Sequence, residues 1–211
     1  MKKNIRFSNV YLAAISYGLG NLMMVVNRLD IPGEIHRLET GLDRAIPLVL
    51  PFIIPYFLYF GFVAFAWLFL FFFNPVLFRP FAVAAGLNGL ITGIINATFQ
   101  TYAPRVFVPG ESLFADMLRW HYSLNRPLTS FPSLHVSVSF VCAHYLSRMY
   151  PKLKIWLYAF AWIVTASTFF VKEHYIADAI AGVILGAGIP VLVDALFKKR
   201  EARQETELSY T

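Results

Sequence analysis

The residues best suited to chemistry lie in the last third of this 211-residue chain. His174 and Asp178 are four positions apart, a spacing that predicts both side chains on one face of a helix. A carboxylate bonded to one imidazole nitrogen fixes the tautomer and leaves a lone pair on the other. The pair favours a nucleophilic histidine, although the two side chains could instead only satisfy each other at a helix start. Gly182 and Gly186 continue the row, which predicts close packing against a neighbouring helix.

A second histidine, His135, follows Pro132 and Ser133 at the predicted start of another helix. Proline suits a helix start, and Ser133 with the backbone N–H groups that follow could bind an anion there. His135 could then protonate a leaving alkoxide as a general acid. The apolar stretch between His135 and His174 is long enough to cross a bilayer twice. Both histidines are therefore predicted at the same membrane face.

The hydropathy of the rest of the chain indicates a membrane scaffold. Its composition, 58% hydrophobic and 14% charged with a mean hydropathy of +0.59, lies outside the range of soluble domains. A spanning helix needs about 20 mainly apolar residues. Six candidate spans are predicted, at about 7–26, 47–73, 81–101, 134–150, 153–171 and 175–197. We predict an all-α integral membrane fold, a six-transmembrane-helix bundle in one domain, residues 1–198, with a polar cytoplasmic tail, residues 199–211.

The first candidate span is the weakest, because serine, asparagine and glycine residues dilute it. A signal peptide is the alternative interpretation, since Lys2, Lys3 and Arg6 precede the apolar stretch. No small-x-small cleavage site is evident after it, so we expect a retained anchor. The distribution of basic residues around the helix ends favours both termini in the cytoplasm. We expect an integral protein of a bacterial cytoplasmic membrane with its active site on the extracytoplasmic side.

The net charge of +6 could suggest a nucleic-acid partner, but the basic residues form no stripe and mostly flank membrane segments. The expected partners are the bilayer and a lipid phosphate substrate, and no nucleic acid. Cys142 is the single cysteine, so no disulfide framework exists. The aromatic run from Tyr56 to Phe73 is expected to face lipid. The sequence predicts no particular oligomeric state.

Polar residues on the third span form a further pattern. Asn88, Thr92, Asn96 and Gln100 are spaced at four and predict one polar stripe on a helix face that points into the bundle. Interhelical hydrogen bonding is the simplest use of such a stripe, and lining a substrate path is the alternative. The long loop that follows, residues 102–131, is predicted to be a lid or binding loop.

The motifs resemble a known family. Pro132-Ser133-x-His135 and Ser167-x6-His174-x3-Asp178 are similar to the second and third signature motifs of the type-2 phosphatidic acid phosphatase superfamily. Their variants look most like the inositol phosphorylceramide synthase-like branch. In that branch the third motif lacks the arginine that follows the serine in the superfamily's phosphatases, and Thr168 stands at that position here.

The first motif of the family, a lysine followed at a distance by Arg-Pro, has two poor matches. Arg105, in Tyr102-Ala103-Pro104-Arg105, resembles the Pro-Arg segment of the synthase-like branch. Arg126 precedes a proline but lies close to the second motif. Arg105 is preferred as the phosphate-binding cation because its helix end should lie beside both histidines, and Arg126 is assigned to headgroup or loop contacts.

The resemblance implies a mechanism without metal or cofactor. His174 would attack phosphorus in line and form a phosphohistidine, Asp178 would orient it, and His135 would protonate the departing oxygen. His135 would then activate water or an acceptor alcohol. The implied phosphate-binding set is Arg105, Ser133, Ser167, Thr168 and Arg126. We expect the two imidazoles to face each other across a space that fits one phosphoryl centre, with the Arg105 guanidinium beside it.

The function implied first is a membrane lipid phosphate phosphatase that hydrolyses a phosphatidate-like or polyprenyl phosphomonoester or pyrophosphate. A phosphoryl-headgroup transferase of the inositol phosphorylceramide synthase type is the alternative, because water and an alcohol can resolve the same intermediate. Short loops and the lack of an extra domain favour hydrolysis. A non-catalytic membrane transporter and a histidine-based metal site are the remaining alternatives.

Overall fold

The computed structural model describes the backbone of residues 2–209 and the side chains of residues 8–200 and 202–204. Helices dominate it, as predicted. They are α1 (Lys2–Gly20), α2 (Leu22–Arg28), α3 (Gly41–Ala45), α4 (Ile53–Phe73), α5 (Pro75–Thr98), α6 (Leu113–Leu124), α7 (Leu134–Met149), α8 (Lys154–Phe170) and α9 (Ile176–Ser209), with 3-10 turns at Leu50–Phe52 and Pro151–Leu153. Two short strands, β1 (Ile35–His36) and β2 (Gln100–Thr101), pair in parallel.

Five stretches of the described chain are long and apolar enough to cross a membrane, so the protein is an integral membrane protein. They are Ser8–Arg28, Leu50–Phe73, Pro75–Thr98, Pro151–Phe170 and Ile176–Gln204. The sixth predicted span corresponds to α7, which has only 16 residues and is shorter than a bilayer requires. Most of its side chains are buried against α4, α5, α8 and α9. Among the described residues, five of the six predicted spans are thus long enough to cross a membrane, and the sixth, α7, is a shorter helix buried among them.

Small residues bring α9 against α7, as the glycine row predicts. A Cβ atom on Gly182 would lie 2.8 Å from the Ser133 carbonyl oxygen, and one on Gly186 would lie 2.4 Å from the Ser137 carbonyl oxygen. Such contacts are too short for any side chain, so glycine is required at both positions. The Ser133 N–H also donates to the Asp178 backbone carbonyl at 3.0 Å. The starts of α7 and α9 are thus fastened to each other.

The first span packs along α5 as part of the bundle. It breaks at Asn21 into α1 and α2, and a Cβ on Gly89 would lie 2.3 Å from the Gly20 Cα. On α2, the Asn27 amide nitrogen donates to the Leu128 carbonyl at 2.9 Å and to the Thr129 hydroxyl at 3.0 Å. The span therefore holds the segment that leads into α7.

The polar stripe of α5 is buried but shorter than predicted. Asn88, Thr92 and Asn96 are fully buried, and Asn88 donates to the Ser137 hydroxyl on α7 at 2.9 Å. This contact is the interhelical hydrogen bonding that the sequence favours. Gln100 does not belong to the stripe, because α5 ends at Thr98 and Gln100 lies in β2, where its amide donates to the Ile31 carbonyl.

Three elements of the structure differ from the limits that hydropathy predicts. The third span begins at Pro75 rather than near residue 81, because the Asn74 side chain accepts the Leu77 N–H and Pro75 occupies the first helical position. Helix α9 continues beyond the predicted limit at 197 to Ser209. The long loop 102–131 contains a helix of its own, α6.

Candidate active site

The two histidine motifs meet at one end of the bundle, as predicted. His135 is the second residue of α7, and His174 lies in the turn between α8 and α9. Their side chains are in direct contact, with 3.3 Å between His135 Nδ1 and His174 Nε2. The antiparallel pair α7 and α8 produces this contact, because it returns the chain to the end from which it started.

Asp178 pairs with His174, but not through the helix face that the four-residue spacing predicts. Helix α9 begins at Ile176, so His174 precedes it and Asp178 is its third residue. The Asp178 Oδ2 atom accepts the Tyr175 N–H at 2.8 Å and lies 3.4 Å from His174 Nδ1. Side chains at the third helical position point back toward the helix start, which explains the contact. The carboxylate is fully buried.

A tyrosine extends this pair to a chain of four side chains. The Tyr56 hydroxyl lies 2.9 Å from His135 Nε2, and Tyr56 is fully buried on α4. With Asp178 ionised, a consistent order of donors runs from Tyr56 to His135 and from His135 to His174. His174 Nδ1 lies 3.4 Å from the carboxylate and makes no hydrogen bond among the described residues. This order leaves the His174 Nε2 lone pair facing His135. Tyr56 was not predicted, because an aromatic run on an apolar span is typical of lipid contact.

The expected space between the imidazoles is absent. Nitrogen atoms 3.3 Å apart are at hydrogen-bonding distance and admit no phosphoryl group between them. Both rings border a large cavity. The prediction was right about which groups meet and wrong about their spacing.

Arg105 borders the same cavity as the two histidines, but it is paired with a carboxylate that the sequence analysis missed. Its Nη1 atom binds Glu173 Oε1, and its guanidinium stacks on the Tyr122 ring at 4.5 Å. His121 Nε2 lies 3.2 Å from the same Glu173 oxygen. Burial raises the pKa of Glu173, but the hydrogen bond with His121 and the charge of Arg105 outweigh it and lower the pKa to about 2. Its position directly before His174 is the sequence feature that could have identified Glu173 as a site residue.

The other predicted phosphate-binding arginine lies further out. Arg126 borders the same cavity, but its side chain is 45% exposed and its Nη1 atom contacts Asp30 Oδ1 at 2.8 Å. Its backbone N–H donates to the Asn27 side chain. These contacts fit the loop role that the sequence suggests for Arg126.

The three predicted hydroxyl ligands are fully buried and do not border the cavity. The Ser133 hydroxyl caps α7 by accepting the Val136 N–H at 3.4 Å. The hydroxyls of Ser167 and Thr168 donate to carbonyls of their own helix, at 2.6 and 2.7 Å. Such back-bonding is the usual use of serine and threonine inside helices. The Thr168 carbonyl also accepts the N–H groups of Glu173 and His174, so Thr168 shapes the turn that carries the nucleophile candidate.

The loop between the first two spans fastens the start of α9. Asp43 Oδ1 accepts the Ile176 N–H at 2.8 Å, and Lys172 donates to the Asp43 carbonyl at 3.2 Å. Burial raises the pKa of the Asp43 carboxyl, but hydrogen bonds from the Thr40 hydroxyl and the Ile176 N–H lower it below its ordinary value. Asp43 therefore helps to position the start of α9. The sequence did not indicate this contact, because Asp43 lies far along the chain from the motifs.

A cavity of about 760 Å³ connects these polar groups to the apolar interior. Its polar end is bordered by His135, His174 and the Arg105 cluster, and the rest runs between the first span and α4 to Trp67 and Leu68. Ligand cavities of this size typically combine an apolar wall with a few polar groups. The shape therefore suits a molecule with a charged head and an apolar chain.

Comparisons with known proteins were consistent with this arrangement. The sequence model of the PAP2 superfamily matches residues 77–202. Among solved structures, the crystal structure of Aquifex aeolicus LpxE is similar, with a TM-score of 0.54 and 20% sequence identity over 82% of this chain and 92% of that chain. At this identity the likeness concerns the fold. A comparison with curated proteins finds no match. None of these findings distinguishes the inositol phosphorylceramide synthase-like branch.

Proposed function

This chain belongs to the PAP2 superfamily, and from that premise we propose that it is a membrane lipid phosphate phosphatase. The proposed substrate is a phosphatidate-like or polyprenyl phosphomonoester or pyrophosphate. One observation carries the proposal: the hydrogen-bonded pair His135 and His174, with Asp178 behind it, stands at the polar end of an otherwise apolar cavity. This arrangement supports the proposal, because the headgroup of a lipid would lie at the polar end of such a cavity.

The proposed first step transfers the phosphoryl group to the protein. The His174 Nε2 lone pair attacks phosphorus while Asp178 holds the proton on Nδ1. The bond from phosphorus to the ester oxygen breaks, and His135, which has taken up a second proton on Nε2 with the substrate, gives its Nδ1 proton to that oxygen and remains a neutral imidazole. Arg105 stabilises the charge on the equatorial oxygens. The products are a phosphohistidine and a lipid alcohol, or a lipid monophosphate when the substrate is a pyrophosphate.

The proposed second step releases phosphate. His135, now without its Nδ1 proton, accepts a proton from water, and the resulting hydroxide attacks phosphorus. The bond to His174 Nε2 breaks, which regenerates the imidazole and frees inorganic phosphate. Ser133, Ser167 and Thr168 act in this proposal through the backbone segments that they hold, and Arg126 through the rim of the cavity.

The proposed substrate orientation follows from the cavity. The phosphate lies among His135, His174 and Arg105, and the hydrocarbon chain lies between the first span and α4. The expected topology, with both termini cytoplasmic, places this headgroup end at the outer leaflet.

A phosphate-release panel tests the proposed function. Purified protein is incubated with phosphatidate, phosphatidylglycerol phosphate and polyprenyl phosphates or pyrophosphates, with and without an alcohol acceptor and with EDTA. We expect free phosphate from at least one lipid at a rate that EDTA does not reduce. Headgroup transfer to the acceptor without free phosphate would instead support the transferase, which Thr168 in the third motif favours. Turnover that requires a metal would contradict the proposed route.

Tyr56→Phe is expected to lower kcat roughly tenfold with little change in KM, because one hydrogen bond to His135 is lost while the cavity keeps its shape. Tyr59→Phe is the matched control, since the Tyr59 ring packs against the same imidazole at 4.8 Å. Steady-state kinetics on the best lipid of the panel measures both variants. Equal losses in the two variants would show that removal of either hydroxyl near His135 has this effect, and that the Tyr56 hydrogen bond has no particular role.

A further inference from the structure

Glu173 occupies a position surrounded by cationic and hydrogen-bond donor groups. One of its oxygens contacts both Arg105 Nη1 and, at 3.2 Å, His121 Nε2. All three side chains border the cavity together with the two reactive histidines. The Glu173 side chain is only 11% exposed and the His121 side chain only 7% exposed. The arginine best placed to bind a phosphate is therefore neutralised by a carboxylate of the same chain.

Arg105 retains unused binding capacity in this arrangement. Its Nε atom is buried and, among the residues that the structure describes, has no hydrogen-bond partner. A guanidinium presents five donors in a fixed planar geometry that suits a phosphate with several acceptor oxygens. The Glu173 oxygen on Nη1 and the Asn125 carbonyl, 3.5 Å from Nη2, leave the Nε–H group unpaired. The Arg105 guanidinium can therefore bind an anion that offers more acceptor oxygens than Glu173 supplies.

We propose that Arg105 and His121 together bind the substrate phosphate, and that Glu173 occupies their site until the phosphate displaces it. The inference rests on the proposed function, because it names further ligands for the same phosphoryl group. It makes His121 a substrate ligand and gives α6, in the long loop, a direct role in binding. Glu173 then acts as an internal competitor of phosphate.

The charges agree with an exchange of one anion for another. The pKa of Glu173 is lowered to about 2, so the carboxylate leaves as an anion rather than by protonation at neutral pH. A phosphate monoester carries up to two negative charges and therefore competes well for Arg105. Glu173 lies in the turn between α8 and α9, outside both helices.

A purely structural role for Glu173 predicts the opposite result. If the carboxylate served to hold Arg105 and His121 in place, its removal would weaken phosphate binding. If it competes with phosphate, its removal strengthens binding. The sign of the change in affinity therefore decides between the two roles.

The experiment measures inorganic phosphate and orthovanadate binding to purified wild type and Glu173→Gln, by calorimetry and by inhibition of lipid phosphate hydrolysis. We expect the dissociation constant to fall at least about fivefold in the variant, because one negative charge beside the anion is removed. An unchanged or increased constant overturns the proposal. The gain is expected to disappear in the double variant Glu173→Gln with His121→Ala; a gain that persists there overturns the role of His121.

Asp30→Asn is the matched control, because Asp30 pairs with Arg126, the other arginine on the cavity. It is expected to leave the dissociation constant unchanged, and an equal gain there would show a general charge effect and overturn the assignment. A structure of the wild type with vanadate provides a measurement without any variant: Glu173 must have left Arg105. Wild type that releases no phosphate from any lipid would contradict the proposed function, while calorimetry still decides the present inference.

Discussion

His174→Ala is expected to lower phosphate release from the best lipid substrate by roughly 10⁴-fold or more, since removal of a covalent nucleophile disables the whole catalytic unit. The imidazole lies between His135 and Asp178, and His174 borders the cavity. Release of radiolabelled phosphate measures the rate. Acid-labile label on the wild-type chain, absent from the variant, would identify the phosphohistidine directly.

His144→Ala is the control for this substitution. His144 Nε2 lies 2.9 Å from Asp194 Oδ2 and forms a second histidine–aspartate pair between α7 and α9. Asp194 keeps its contact with Arg148 at 2.6 Å when the imidazole is removed, so the fold is expected to survive. Activity within about twofold of wild type is expected, as for other substitutions away from a site. A His174→Ala variant that keeps its activity would favour the transporter interpretation.

The motifs predicted which groups meet because hydropathy constrains where the chain can turn. An apolar stretch that crosses the bundle and returns must bring its two ends to one face, so His135 and His174 were placed together correctly. Asp178 was also placed correctly, although the contact comes from a side chain pointing back at a helix start rather than from a shared helix face. Local spacing and segment length carried this part of the prediction.

The residues that the sequence did not reveal share one physical feature. Tyr56, His121 and Asp43 reach the site from positions 53 to 131 residues before His174, through contacts that no local spacing encodes. Tyr56 belongs to an aromatic run, and the sequence does not distinguish its buried residues from those that face lipid, because both environments favour apolar side chains. Asp43 lay in a polar loop whose docking onto α9 depends on the folded bundle.

Helix limits were the other part that hydropathy could not supply. The length of an apolar stretch reflects the thickness of the bilayer. A helix, by contrast, starts and ends where its terminal N–H and C=O groups find partners. The Asn74 cap therefore starts the third span early, and the pairing of β1 with β2 removes Gln100 from its predicted stripe. The short α7 is possible because it is buried among other helices and need not match the bilayer by itself.

Arg105→Ala is expected to lower kcat/KM for the lipid phosphate by about 10²–10³-fold, the usual cost of removing a group that stabilises charge in the transition state. Arg105→Lys is expected to recover only part of this loss, because an ammonium cannot reproduce the planar donors or the stacking on Tyr122. Arg126→Ala is expected to change kcat/KM only a few-fold, since its pair with Asp30 is exposed. A larger loss for Arg126 than for Arg105 would mean that Arg126 corresponds to the arginine of the first family motif.

The loss in Arg105→Ala has two physical sources, which a double variant separates. Removing the guanidinium deletes a phosphate ligand, and it also leaves the Glu173 carboxylate uncompensated beside the incoming phosphate. Glu173→Gln in the Arg105→Ala background removes the second source, so part of the activity is expected to return. A double variant no more active than Arg105→Ala would show that the loss comes from the missing ligand alone. A double variant less active than either single variant would instead mean that the carboxylate contributes to binding after the arginine is gone.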